Sequence, residues 1–241
     1  MLLLDVGNSR CKWVFVQNGM WKYQGVVGNT EWTALQQALS ALPAPARILV
    51  SNVAGEAMAQ RLSAVCAGWK RRLEFVTALS EQCGVRNGYE HPERLGSDRW
   101  AALIAAWNHV RGACLVVNCG TATTVDALSA QGEFLGGLIL PGVTLMQHSL
   151  ATNTAQLMTE QGALRDFPRN TADAIHSGMM RATLGPIRHQ FGLLQARGAT
   201  VRCLLGGGAA VVVEPHLDLP LERMDNLVLK GLQIIGEMKA C

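Results

Sequence analysis

One pattern occurs twice in this chain, far apart, and it constrains the fold more than any other feature. Near the start runs Leu4-Asp5-Val6-Gly7-Asn8-Ser9-Arg10-Cys11-Lys12, and in the middle Val117-Asn118-Cys119-Gly120-Thr121-Ala122-Thr123-Thr124-Val125-Asp126. Each copy follows an apolar run that reads as a buried strand, Met1 to Leu4 and Cys114 to Val117. Each then has an acid or amide, a spacer, a glycine and small polar residues, followed by a second strand-like stretch. A β-hairpin with a polar, glycine-containing turn is therefore expected at both places.

Such a turn has a chemical use. Glycine lets backbone N–H groups approach an anion closely, and successive turn amides form a concave nest suited to phosphate. Ser9, Thr121 and Thr123 offer hydroxyl donors, and a carboxylate at a strand end can hold Mg²⁺ together with water and substrate phosphates. Taken singly, either turn reads as an ordinary hairpin. Taken as a matched pair, the two point to a nucleotide triphosphate.

Composition excludes several other classes. Of the 241 residues, 49% are hydrophobic and 16% charged, which suits packed cores and not disorder. A formal net charge of +3 is too small to argue for nucleic acid. Seven cysteines show no CxxC or Cys/His metal spacing, so free thiols in a reducing compartment are expected. Cys119 takes the spacer position of its turn and reads as packing. The six histidines likewise lack ligand spacing. Asp5 breaks the first apolar run too early for a secretory signal, and no stretch approaches the ~20 apolar residues of a membrane span. The expectation is a soluble, cytoplasmic protein with no nucleic-acid or membrane partner.

Along the chain, strands are expected at Met1–Leu4, Trp13–Gln17 and Met20–Val26, with Asn18-Gly19 as a hairpin turn. Asn29-Thr30-Glu31 opens a helix, and a strand (Arg47–Val53), a helix (Glu56–Trp69) and a short strand follow. This order resembles a ribonuclease H-like unit. A second such unit starts at Cys114, and the expected lobes are residues 1–111 and 112–241. The fold class is α/β, with a duplicated βββαβαβα pattern. The apolar helix Asp98–His109 joins the halves and, with the helix carrying Thr171, is a candidate dimer interface.

Between the halves lies Asn87-Gly88-Tyr89-Glu90-His91-Pro92-Glu93-Arg94-Leu95-Gly96-Ser97-Asp98-Arg99-Trp100. One reading is a loop whose Ser97 or Asp98 caps the next helix. The other is a substrate site in which Arg99 grips a carboxylate and Asp98 accepts a proton from a hydroxyl.

Four motifs in order, Asp5-x-Gly-Asn-Ser-x-x-Lys12, Gly96-x-Asp-Arg99, Gly120-Thr-Ala-Thr123 and Gly136-Gly-x-x-x-Pro-Gly142, resemble those of the type III pantothenate kinases. The resemblance is collinear from Asp5 to the Gly206–Gly208 turn. It implies an actin-like or sugar-kinase fold and transfer of the ATP γ-phosphoryl group to pantothenate, the first step of coenzyme A biosynthesis. It also implies ATP bound in an interlobe cleft and a homodimer. By the same resemblance Asp5, Val6, Gly7, Asn8, Ser9, Arg10, Cys11 and Lys12 form the first phosphate loop, with Asp5 near Mg²⁺. Gly120, Thr121 and Thr123 form the second. Tyr89, Gly96, Ser97, Asp98 and Arg99 line the pantothenate site, with Asp98 the general base and Arg99 the carboxylate anchor. Thr171 matches a substrate contact that the family often takes from the partner subunit. Gly206–Ala209 resembles the adenosine-side turn.

One position departs from the family. Its second loop usually opens with an aspartate that helps bind K⁺ or NH₄⁺, and here Asn118 keeps a carbonyl but loses the charge. Asp126 is either a substitute carboxylate or a strand-end surface acid. The departure also leaves room for a regulatory protein that keeps the fold without turnover, although Asp5, Asp98 and Arg99 are all present. A sugar or acetate kinase of the same superfamily is disfavoured by the Gly96–Arg99 motif.

Overall fold

The structure is a computed structural model that describes residues 1–153 and 162–238, and the chain divides into two compact units. The first opens with three antiparallel strands, β1 (Leu2–Val6), β2 (Arg10–Gln17) and β3 (Met20–Gly28). Asn18 and Gly19 both sit at positive φ, 52° and 73°, as a two-residue hairpin turn requires. Helix α1 (Trp32–Ser40) buries Leu35 and Leu39, four residues apart on one face. It returns the chain to β4 (Ile48–Asn52), parallel to β1, and α2 (Glu56–Cys66) leads to β5 (Leu73–Phe75). The sheet order is β3-β2-β1-β4-β5.

Strand alternation sorts this sheet into two faces. Leu2, Leu4, Val6, Cys11, Trp13, Phe15, Ile48 and Val50 join Leu35, Leu39 and Leu62 in one core. Asp5, Lys12 and Ser51 therefore fall on the opposite face. A second hairpin, β6 (Glu81–Gln82) and β7 (Val85–Asn87), turns through Cys83 and Gly84, both at positive φ. The sequence reading assigns no element here, because cysteine carries no turn signal. Helix α3 (Ser97–Val110) follows.

The second unit repeats the plan. Strands β8 (Cys114–Cys119), β9 (Ala122–Leu128) and β10 (Glu133–Pro141) are antiparallel neighbours. Helices α4 (Val143–Asn153) and α5 (Thr171–Gln195) precede β11 (Arg202–Gly206), which lies parallel to β8. After the short α6 (Ala210–Val213), β12 (Leu221–Arg223) pairs parallel with β11. Among this unit's own strands the order β10-β9-β8-β11-β12 matches that of the first sheet position for position. Its core joins Leu115, Val117 and Val125 to Met180, Leu184, Ile187 and Phe191 of α5.

The last helix, α7 (Leu227–Glu237), packs on β1, β2 and β4, so the first unit comprises Met1–His109 with the chain from Asn226 onward. The sequence reading instead expects one seam, with 112–241 as the second lobe. A Cβ at Gly231 would overlap the Ala101 carbonyl, which shows how tightly α7 and α3 approach. Helix α3 is no dimer surface either. Trp100 through Ala106 are all buried within the chain, so its apolar circumference is an interior feature. No described helix is long and apolar enough to cross a membrane.

Candidate active site

Asp5 sits one residue from the end of β1, opposite Lys12 on β2 and beside Ser51 on β4. Burial pushes its carboxyl up to about 6; the Lys12 charge pulls it down and the charge of Asp98 adds to the rise. Asp98 is thus close enough for its field to reach Asp5. After β1 the chain turns through Gly7, whose N–H donates to Arg10 O at 3.1 Å. Asn8, Ser9 and Arg10 are exposed on this turn. Val6 and Cys11 point into the core instead, so only their backbone can serve a ligand. Burial also holds the Cys11 thiol at about 12, which makes it chemically inert.

The Gly96–Arg99 segment forms the first turn of α3. The Arg99 N–H donates to Asp98 Oδ1 at 2.8 Å, which fixes the carboxylate at the helix N-terminus. Gly96 leaves room for that carboxylate, since a Cβ there would lie 2.7 Å from the same oxygen and displace it. Ser97 is buried, and its hydroxyl lies 2.9 Å from that of Ser51. That hydroxyl pair ties the turn carrying Asp98 to the strand beside Asp5. Arg99 is only 6% exposed, and its Nη1 donates to Tyr89 Oη at 2.8 Å with the guanidinium 5.6 Å from the ring centroid. Asn87 shapes the Tyr89 loop by accepting from Tyr89 N and donating to Pro92 O.

The second turn is built by close backbone approaches. Gly120 N–H donates to Ala122 O, Gly142 N–H to Thr121 O and Ala209 N–H to Cys119 O, at 2.9 to 3.0 Å. A Cβ on Gly207 (φ +93°) would stand 2.5 Å from Cys119 O, and one on Gly142 would overlap Gly120 O. Gly120 and Thr121 are exposed at the tip. Thr123 differs. It shares the parity of Val125 and Ala127, is fully buried, and its hydroxyl has no hydrogen-bond partner among the described residues. Burial raises the Cys119 thiol opposite it to about 11, and Thr123 opposes that rise.

Asn118 is half-buried in β8, opposite Thr124 and beside Gly206. Asp126 is mid-strand in β9 and 1% exposed, not a surface acid at a strand end. Thr171 begins α5, whose N-terminus Asn170 caps by accepting from Asp173 N at 2.8 Å. With Leu145, Met146, Leu150, Ile175 and Met179 it lines an apolar groove of about 860 Å³.

The structure thus brings Asp5, Lys12, Ser97 and Asp98 together in the first unit, with Arg99 and Tyr89 adjoining. Ser51 and Asn87, which carry the supporting hydrogen bonds, escaped the sequence reading. Ser51 falls in an apolar strand where a hydroxyl signals nothing until its partner is known. Asp5 offers one hard carboxylate oxygen beside an exposed turn, the kind of donor that magnesium takes.

Comparison with known proteins identifies the family. The family model described as type III pantothenate kinase matches residues 1–192. A type III pantothenate kinase of Nitrosospira multiformis is 46% identical over 237 residues, covering 98% of this chain and 90% of its own. That of Aromatoleum aromaticum is 46% identical over 240 residues, covering 100% and 99%. Among solved structures, a Campylobacter jejuni protein described as a putative Baf family transcriptional activator superposes with TM-score 0.64 at 23% identity, covering 98% of both chains. A putative 2-dehydro-3-deoxygalactonokinase from Sinorhizobium meliloti gives 0.63 at 17%, covering 98% and 97%. At such identities these two show a shared fold.

Proposed function

The chain belongs to the type III pantothenate kinases, enzymes that phosphorylate pantothenate with ATP at the first step of coenzyme A biosynthesis, and from that premise we propose which of its residues carry the reaction. The observation that supports the assignment most is the convergence of Asp5, Lys12 and Asp98, with Arg99 and Tyr89 alongside. In this reading Asp98 accepts the proton of the pantothenate hydroxyl as it attacks the γ-phosphorus. Arg99, held by Tyr89, anchors the pantothenate carboxylate at the other end and so aims the hydroxyl. Phosphoryl transfer asks mainly for such positioning and for charge neutralisation. The proton moves late in a loose transition state, so the base needs proximity to the hydroxyl above all.

The Gly7–Arg10 turn and the Gly120–Thr121 tip each present amides and a hydroxyl to phosphate oxygens. Asp5 would hold Mg²⁺, which supplies neutralisation of phosphate charge. Thr123 takes part through its backbone and through the packing that supports the turn. With Asn118 in place of a carboxylate, activation by K⁺ or NH₄⁺ should be weak.

The protein acts as a homodimer in this reading, joined through the α4–α5 groove. Leu145 and Leu150 are 44% and 37% exposed there, and Thr171, which also lines it, would be offered to the partner's site. A cytoplasmic setting fits the six described cysteines, all free thiols. The test is ADP release from Mg·ATP with and without pantothenate, beside Asp98→Asn, across a potassium series. Pantothenate-dependent release that the substitution abolishes supports the assignment. Unchanged turnover in Asp98→Asn would remove Asp98 as the base.

A further inference from the structure

We propose that Asn29, in the turn between β3 and α1, is a positioning residue for the first phosphate loop: it holds the two peptide planes that aim amides at the ATP phosphates. The inference rests on the reading of that loop as a phosphate site.

Asn29 makes two hydrogen bonds to the loop, one from its side chain and one from its backbone. Its Nδ2 donates to Gly7 O at 2.7 Å, and its own N–H donates to Ser9 O at 3.1 Å. A trans peptide is planar and its C=O and N–H point in opposite directions. Holding the Gly7 carbonyl toward Asn29 therefore turns the Asn8 N–H to the far side. Holding the Ser9 carbonyl does the same to the Arg10 N–H. Asn8, Ser9 and Arg10 are exposed, so that far side is open to a ligand. Gly7 has no side chain to resist a flip of its peptide plane, and the Asn29 amide supplies the restraint that glycine lacks.

The remaining atom of the amide argues for function over packing. Asn29 Oδ1 is buried and has no donor among the described residues. A flipped amide would set Oδ1 against the Gly7 carbonyl, two acceptors face to face, so the observed orientation is the one that holds the loop. A buried acceptor without a partner costs folding free energy. Alanine would relieve that cost while losing one bond, so stability should change little and loop geometry should change a good deal. The turn is independently braced by Glu31, whose Oε2 accepts from Gly28 N at 2.8 Å and whose N–H donates to Gly28 O. The backbone bond to Ser9 survives any substitution that keeps the turn.

The test compares wild type, Asn29→Ala and Asn29→Asp by calorimetric titration with Mg·ATP, by steady-state kinetics in both substrates, and by thermal melting. Loss of one loop-holding hydrogen bond predicts a Mg·ATP affinity weaker by on the order of tenfold in Asn29→Ala. Asn29→Asp should be weaker still, because an isosteric carboxylate repels both the Gly7 carbonyl and the phosphates. The pantothenate KM should stay within about twofold. A merely structural role would lower the melting temperature and leave the ATP affinity of the folded fraction unchanged. That outcome, or both variants binding Mg·ATP as wild type does, overturns the proposal. A wild type that binds Mg·ATP without phosphorylating pantothenate sinks the assigned reaction and leaves the Asn29 comparison decisive. A wild type that binds no Mg·ATP sinks both.

Discussion

The Arg99 guanidinium lies against Tyr89, with Nη1 2.8 Å from the phenolic oxygen and the guanidinium carbon 5.6 Å from the ring centroid. Arginine buried to 6% exposure is aimed by this contact, and the aim is what a carboxylate anchor needs. Tyr89→Phe keeps the ring and removes the hydrogen bond. The pantothenate KM should rise about 3- to 10-fold, the value of one such bond, with the ATP KM unchanged. Steady-state kinetics in each substrate check this.

Arg99→Met should raise the pantothenate KM far more and also change selectivity. An analogue whose carboxylate is replaced by a neutral amide is a poor substrate for the wild type if Arg99 reads the charge. In the variant the two compounds should be phosphorylated at similar kcat/KM, because the discriminating partner is gone. Retained preference for the acid would place the anchor elsewhere.

Asp5 should set the acid limb of the pH profile. Its carboxyl is raised to about 6, above the ordinary 3.8, so the folded protein favours the protonated form. The stability it contributes is full below about pH 4 and is lost as pH rises through 6. Metal binding needs the ionised form, so kcat/KM for ATP should fall below about pH 6. Lys12 opposes the rise, and Lys12→Met should move the limb upward in a pH–rate series at fixed Mg²⁺.

Gly207→Ala should disturb the second turn and the fold together. The position has φ +93°, and its Cβ would press on the Cys119 backbone, which cannot swing away as a side chain would. Strain and overpacking of this kind cost about 1–3 kcal/mol. Chemical denaturation should show that loss, and the ATP KM should rise as the Gly120–Thr121 tip shifts. For stability the control is Gly208→Ala, with open space around its Cβ.

Leu145→Asp places a charge in the α4–α5 groove. Light scattering at micromolar concentration should report a dimer for wild type and a monomer for the variant. A wild-type monomer would remove the groove as an interface, and with it the supply of Thr171 to a partner.

Several of these features are legible in the linear chain for simple reasons. The acid/amide–x–Gly–polar pattern needs only its flanking apolar runs to read as a hairpin, and the two copies foretell two sheets of like order. Asn18-Gly19 reads as a hairpin turn because both residues tolerate positive φ. The Cys83-Gly84 hairpin was missed because a cysteine at φ 53° breaks the usual composition of such turns. The inward Thr123 carries a signal that alternation reveals, since Thr123, Val125 and Ala127 share one face.

What the amino-acid order determined by itself was local: which segments alternate, where the chain can turn, and which small polar residues those turns display. Tertiary structure decided which distant groups meet. Whether Ser51 faces Ser97, whether Asn29 reaches Gly7, and whether α7 returns to β1 depend on strand register and helix packing across many residues. Apolar burial drives those encounters, and it acts on area without regard to position in the chain. The same apolar helix, α3, therefore reads alike in sequence as an exposed interface or an interior, and only the packed fold made it the latter.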